Sequence, residues 1–193
     1  MSLGFFLDVN KCIGCRTCHV ACKDLHNLGI GPIFRRVRAF ETGAYPNADG
    51  YRFSGSCNHC ENALCLRSCP TGALHRAADG TVQLDSDRCM GSACKACIGA
   101  CPYGAVDFIA DLGVAGKCDS CKSLRDDGRN PNCVDACIMR CLEFGEMTAL
   151  RAKHGPGLTS DLPILPPSST TGPRLLIKAK PNALRTDFTE VEI

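Results

Sequence analysis

Tryptophan is absent from this 193-residue chain, and aromatic residues make up only 6% of it. A large core built on bulky rings is therefore excluded. No run approaches the roughly 18–20 uncharged apolar residues that a membrane span needs, so a soluble or peripheral chain is expected. An excess of one charge is lacking too: 22 basic residues stand against 20 acidic, a formal net charge of +2. That balance argues against electrostatic binding to nucleic acid. The opening stretch MSLGFFLDVNKC is too short in its apolar part for a signal-peptide core. It has no basic residue before that part and no small-residue cleavage site. There is also no nucleophile–base pattern and no phosphate-cradling loop, so independent catalysis is not expected.

Cysteine is what the chain has in excess, with 17 residues. Sixteen fall into four groups of four: Cys12, Cys15, Cys18, Cys22; Cys57, Cys60, Cys65, Cys69; Cys89, Cys94, Cys97, Cys101; and Cys118, Cys121, Cys133, Cys137. Disulfides fit poorly, because no export signal is visible and the count is odd. Structural zinc draws on two Cys-x2-4-Cys pairs, which leaves the triple Cys12-x2-Cys15-x2-Cys18 and its follower Cys22 unexplained. Iron–sulfur ligation explains the pattern, including Cys69-Pro70 and Cys101-Pro102. Ligand thiolates also change the charge: sixteen of them against four 2+ cores turn the formal +2 into a net negative, which the basic residues partly offset.

In such groups the first three cysteines wrap one cluster, and the fourth, starting a helix, goes to another. The groups must then work in pairs. The second and third read as one ferredoxin unit, joined by a hairpin with a turn at Asp79-Gly80 and a strand at Thr81–Leu84. The first and fourth would form the other unit. A tandem pairing, first with second and third with fourth, fits the spacing as well. Within the insertion 23–56, Ile33–Phe40 reads as a strand whose arginines are either a solvated edge or a docking surface or screen for cluster charge. A helix is expected from Glu146 to His154, stopped by Gly155. The Pro-rich stretch to Pro173 should be extended, with a last short strand at Arg174–Lys178.

The wording around the cysteines resembles the iron–sulfur subunit of the dimethyl sulfoxide reductase family of molybdenum enzymes. The matching phrases are Asp8-x2-Lys11-Cys12-Ile13-Gly14-Cys15, Arg35-Arg36-Val37, Cys57-Asn58-His59-Cys60-Glu61, Cys69-Pro70-Thr71-Gly72-Ala73, Cys101-Pro102-Tyr103-Gly104-Ala105, Lys117-Cys118-Asp119-x-Cys121, and Gly172-Pro173-x-Leu175 to Lys178. The resemblance implies nested pairing: Cys12, Cys15, Cys18 and Cys137 on one cluster; Cys22, Cys118, Cys121 and Cys133 on its neighbour; Cys57, Cys60, Cys65 and Cys101 on a third; Cys69, Cys89, Cys94 and Cys97 on the fourth. The expected fold is α+β, two interleaved bacterial-ferredoxin-like units with short hairpins and short helices. The inner unit 57–101 is inserted in an outer unit, 1–22 plus 118–155, to make a four-cluster domain 1–155 followed by an extended tail 156–193.

The implied function is a relay of single electrons through four [4Fe–4S] clusters. The implied partners are a molybdopterin catalytic subunit and a quinol-linked membrane subunit or another donor, in an anaerobic respiratory reductase. The same relay in a formate dehydrogenase, polysulfide or tetrathionate reductase, or hydrogenase-type complex is the alternative, and a zinc-binding interaction module is the alternative of another class. The complex is expected to be peripheral at a membrane, on the cytoplasmic side unless exported folded with a twin-arginine partner. Three departures from the family pattern stand out. Cys89-x4-Cys94 is wider than usual, Ile138 replaces a proline, and Cys141 is an extra cysteine that would share a helical face with Cys137.

Overall fold

The computed structural model describes residues 2–192; Met1 and Ile193, the outermost residues of the spans 1–155 and 156–193, lie outside them. In chain order the elements are β1 (Leu3–Asp8), α1 (Thr17–Leu25), β2 (Arg35–Thr42), β3 (Asp49–Ser56), α2 (Leu64–Arg67), β4 (Leu74–Arg76), β5 (Val82–Leu84), α3 (Ala96–Ala100), β6 (Val106–Ile109), β7 (Val114–Lys117), α4 (Lys122–Asp126), α5 (Asn132–Asp135), β8 (Leu142–Glu146), α6 (Met147–His154), β9 (Leu175–Lys178) and β10 (Phe188–Val191). The architecture is α+β, with short helices and four small sheets.

The apolar run Gly4-Phe5-Phe6-Leu7 is the middle strand of a sheet ordered β8-β1-β9. Both its faces are covered, so its burial is continuous rather than alternating. Phe5 lies opposite Phe144 on antiparallel β8 and Leu175 on parallel β9. This sheet joins the start of the chain to two segments more than a hundred residues away. Gly4 makes it possible, since a Cβ there would collide with the Arg174 carbonyl and the Met147 sulfur. The expected strand at 174–178 thus rests on this chain's own first strand.

The second sheet runs β10-β2-β3. β2 is its central strand, not an edge, and this overturns the reading of its arginines as one solvated set. Arg35 shares the inward face with Val37 and Ala39 and is only 1% exposed, whereas Arg36 points out. Arg38 is half-exposed and holds Glu190 of β10 through two hydrogen bonds, of 2.8 and 2.5 Å.

The remaining sheets are the hairpins β4–β5 and β6–β7. The first closes where Asp79-Gly80 led us to expect it. Asp79 accepts from the Thr81 amide (2.9 Å) and hydroxyl (2.6 Å), and from Arg125 of α4 at 2.8 Å. Burial works to raise its carboxyl, but the Thr81 and Arg125 contacts together hold it down at about 2. A depressed carboxyl stabilises the fold fully above its unfolded value, near pH 4, and stops doing so as pH falls through about 2. Asp79→Asn should therefore cost on the order of 2 kcal/mol at neutral pH. The gap between wild type and variant should close between pH ~4 and ~2 in paired denaturation curves. A gap that persists at pH ~2 would sink this assignment.

Candidate metal centres

The chain turns sharply within each cysteine group. Left-handed residues interrupt each group: Gly14 and Arg16 in the first, His59 in the second, Gly91 and Lys95 in the third, Ser120 and Cys121 in the fourth. Such backbone reverses the chain within a few residues, so successive thiols point inward. For the non-glycine residues it costs roughly 1–2 kcal/mol each, which the site must offset. Two kinds of turn recur. In the first and third groups the left-handed Arg16 and Lys95 begin α1 and α3 two residues ahead of Cys18 and Cys97. In the second and fourth, His59 and Ser120 sit one residue ahead of Cys60 and Cys121.

The expectation that the fourth cysteine of each group starts a helix is corrected. Cys22 lies inside α1, four residues after Cys18, while Cys69, Cys101 and Cys137 follow the ends of α2, α3 and α5. α1 packs against α5, and α2 against α3. The first group therefore meets the fourth, and the second meets the third.

Three small cavities, each of about 20 Å³, are walled by thiols. One is lined by Cys57, Cys60, Cys65 and Cys101. Another is lined by Cys69, Cys89, Cys94 and Cys97. The third is lined by Cys12, Cys15, Cys18 and Cys137, with Cys141 as a fifth. The remaining four, Cys22, Cys118, Cys121 and Cys133, are buried together, close enough for their charges to repel one another.

The widened spacing before Cys94 is absorbed by a 3-10 turn, Gly91–Ala93, which returns Cys94 to its cavity. Gly91 has φ +60°, and a Cβ there would run into the Gly113 carbonyl. Gly91→Ala should cost more than about 1–2 kcal/mol and speed iron loss from this quartet alone. Iron release followed at a fixed temperature checks this; an unchanged rate would contradict it.

Sulfur acceptors are met by backbone donors. The amides of Leu74, Ala105, Ser120 and Cys141 donate to the sulfurs of Cys69 (3.5 Å), Cys101 (3.4 Å), Cys118 (3.3 Å) and Cys137 (3.4 Å). The Ser54 hydroxyl lies 3.4 Å from the Cys18 sulfur. Burial, then neighbouring thiolates, push Cys22 and Cys65 up to about 12. Burial likewise pushes Cys60 and Cys121 up to about 11. These thiols do not ionise as bare anions at neutral pH; the ligand form requires positive charge at the centre of each quartet.

A single ion does not fit. Tetrahedral zinc holds sulfur at about 2.3 Å, which draws the thiols together. Among the described residues, the one set of three ligand atoms within 4.8 Å of one another is His26, Asp119 and Cys121. No three sulfurs of a quartet come that close. Thiols spread around empty space, with amides aimed at sulfur, fit a multi-atom iron–sulfur core.

Two buried cations lie at the junctions between quartets. Arg35 is surrounded by Cys133, Cys118, Cys18 and Cys22; burial works to lower its pKa, but these thiolates raise it further. Its guanidinium donates to the Ser54 carbonyl (3.2 Å) and the Ser56 hydroxyl (2.9 Å) and stacks 4.4 Å over the Phe5 ring. Lys117 donates to the carbonyls of Val82 and Cys118 and acts on Cys65. Sequence reasoning missed the burial of both. For Arg35 the signal was its shared period with Val37 and Ala39. His59 is fully buried and accepts from the Val82 amide at 3.0 Å; burial first, then Lys117 and Arg125, keep it neutral. Cys141 follows a turn through Arg140 rather than a helix, yet still brings its sulfur to 3.4 Å from that of Cys137.

Thiol quartets on this α+β scaffold define an iron–sulfur protein of the [4Fe–4S] ferredoxin-like class. Residues 48–147 match the 4Fe-4S dicluster domain family. The protein is 42% identical over 194 residues, 96% of its own length and 93% of the relative's, to YnfG of Escherichia coli strain K12, a probable anaerobic dimethyl sulfoxide reductase subunit. It is 41% identical to the B subunit of the anaerobic dimethyl sulfoxide reductase of Haemophilus influenzae, covering 91% of this protein and 88% of that one. It is 39% identical to the thiosulfate reductase electron transfer subunit PhsB of Salmonella typhi, covering 72% and 73%. The chain belongs to the iron–sulfur electron-transfer subunits of the dimethyl sulfoxide reductase family.

Proposed function

We propose that this chain holds four [4Fe–4S] clusters and relays single electrons to or from a molybdopterin catalytic subunit. The ligand sets are Cys12, Cys15, Cys18, Cys137; Cys22, Cys118, Cys121, Cys133; Cys57, Cys60, Cys65, Cys101; and Cys69, Cys89, Cys94, Cys97. The observation that carries this reading is the exchange of fourth cysteines: each group's first three thiols face a fourth from another group. The packing of α1 on α5 and of α2 on α3 supports two interleaved ferredoxin units. The inner unit, 57–101, is inserted between 1–22 and 118–155, and the tail that follows, 156–193, touches both through Thr171 and Gly172 on Asn62 and Glu61 and through β9 on β1.

When bound, an iron–sulfur cluster takes up or gives one electron with its thiolate ligation intact. The residues set the order. Cys18 lies near Cys133, and Cys118 near Cys57. Cys65 and Cys97 share one apolar cluster. This favours a row in which the Cys12 quartet and the Cys69 quartet are the two ends. In a domain of this length, with a radius of gyration near ~16 Å, neighbours stand on the order of 10 Å apart. Arg35 screens the junction of the first and second quartets and Lys117 that of the second and third, and the aimed amides stabilise the reduced, more negative state.

Chemistry on the substrate belongs to the partner. The curated relatives are named for dimethyl sulfoxide, thiosulfate and arsenate reductases and for a sulfite dehydrogenase, so neither acceptor nor direction is a property of this chain. With a quinol donor, two electrons enter here one at a time, and the two protons leave at the donor. No helix among the described residues is long and apolar enough to cross a membrane; in this reading the quinol site is on a membrane anchor subunit. Metal analysis of the chain in its complex tests the reading. About sixteen iron and sixteen sulfide per chain support it; about four zinc and no sulfide would overturn it.

A further inference from the structure

The cavity of the first quartet has five thiols where a cluster needs four. The fifth, Cys141, is 3% exposed and immediately precedes β8. Its sulfur lies 3.4 Å from the Cys137 sulfur, and its amide donates to that same sulfur at 3.4 Å. Cys12 lines the same cavity. Position 141 stands four residues after its group's last ligand. The same offset from Cys101 and Cys69 falls on Ala105 and Ala73. The backbone in those two groups does the same work, with an amide given to the sulfur of Cys101 by Ala105 and to that of Cys69 by Leu74. A methyl group therefore suffices for packing at this offset, and the thiol is an addition.

We propose that Cys141 is a tuning residue: its protonated thiol donates to the Cys137 sulfur beside it and raises the reduction potential of the first quartet's cluster. The inference rests on the ligand reading above. A Cys137 sulfur bound to iron carries no proton, so the hydrogen in the 3.4 Å contact belongs to Cys141. A donor to a ligand sulfur stabilises the state with more negative charge, which is the reduced one. The proton stays on Cys141 through the electron's arrival and departure, and no bond is made or broken.

The test is a potentiometric titration of the intact complex, followed by electron paramagnetic resonance, for wild type, Cys141→Ala and Cys141→Ser. Alanine should move one of the four midpoints down by about tenfold in the one-electron equilibrium, about 59 mV, and leave the other three in place. Serine keeps an O–H donor and should hold that midpoint at or above the wild-type value. Wild type should show one more exchangeable-proton coupling at this cluster than the alanine variant, in which the Ser54 hydroxyl and the residue-141 amide remain. Four unmoved midpoints in Cys141→Ala would overturn the proposal. So would a three-iron signal in that variant, which would make Cys141 a ligand rather than a donor. Failure of the underlying reading is recognised separately, as a wild-type complex whose iron falls well short of about sixteen per chain.

Discussion

Replacing Cys118 by alanine should empty one quartet and break the relay at its second position. Cys118 starts the fourth group directly after β7, is buried, and accepts the Ser120 amide at 3.3 Å. It faces Cys22 and Cys133 and has Cys57 of the next quartet as a neighbour. Iron should fall from about sixteen to about twelve per chain, and turnover driven by the physiological donor should be abolished. The loss should also weaken the scaffold. Arg35 would keep its buried charge with part of its anionic surround gone, at a cost on the order of 3–5 kcal/mol. Iron analysis with the urea midpoint of visible bleaching, under anaerobic conditions, checks both effects. Full iron content in the variant would remove Cys118 from the ligand set.

Arg35→Met should produce the second-largest change without touching a ligand. Methionine has a similar reach and no charge, so the chain can still pack beside Phe5. The variant loses the hydrogen bonds to Ser54 and Ser56 and the cation between the Cys18 and Cys118 quartets. Uncompensated anionic charge in a buried site should cost on the order of 3–5 kcal/mol in resistance to cluster loss. Two of four midpoints should fall together, since the guanidinium serves both quartets. Arg35→Lys should recover part of the shift, because a point charge replaces the fork that reaches two serines. Wild-type midpoints in Arg35→Met would show that the cation is merely tolerated there.

The 4Fe-4S character and the family were legible because they are written in short-range cysteine spacing. The strands at 81–84 and 174–178 and the helix before Gly155 were legible for the same reason, since turn and cap residues mark them locally. Spacing does not carry distant pairings. Phe5 and Phe6 looked like a short apolar beginning and turned out to be the central strand of a sheet completed by residues 142–146 and 175–178. The arginines of 33–40 read either as a solvated edge or as a docking surface or screen for cluster charge, because charged residues are rarely buried alone; the thiols around Arg35, contributed by α1, α5 and the stretch after β7, make its burial tolerable. The spacing before Cys94 is wider than the family's, and a left-handed glycine with a 3-10 turn, which no local pattern marks, brings Cys94 to the same cavity as Cys89 and Cys97.

The most direct measurement is an anomalous difference map at the iron edge from crystals of the complex. It should contain four compact four-iron peaks in this chain. Each should be ringed by three cysteines of one group and the fourth cysteine of its partner group: Cys137, Cys22, Cys101 and Cys69 in turn. Single-atom peaks, or a cluster held by Cys12, Cys15, Cys18 and Cys22 of one group alone, would contradict the nested relay.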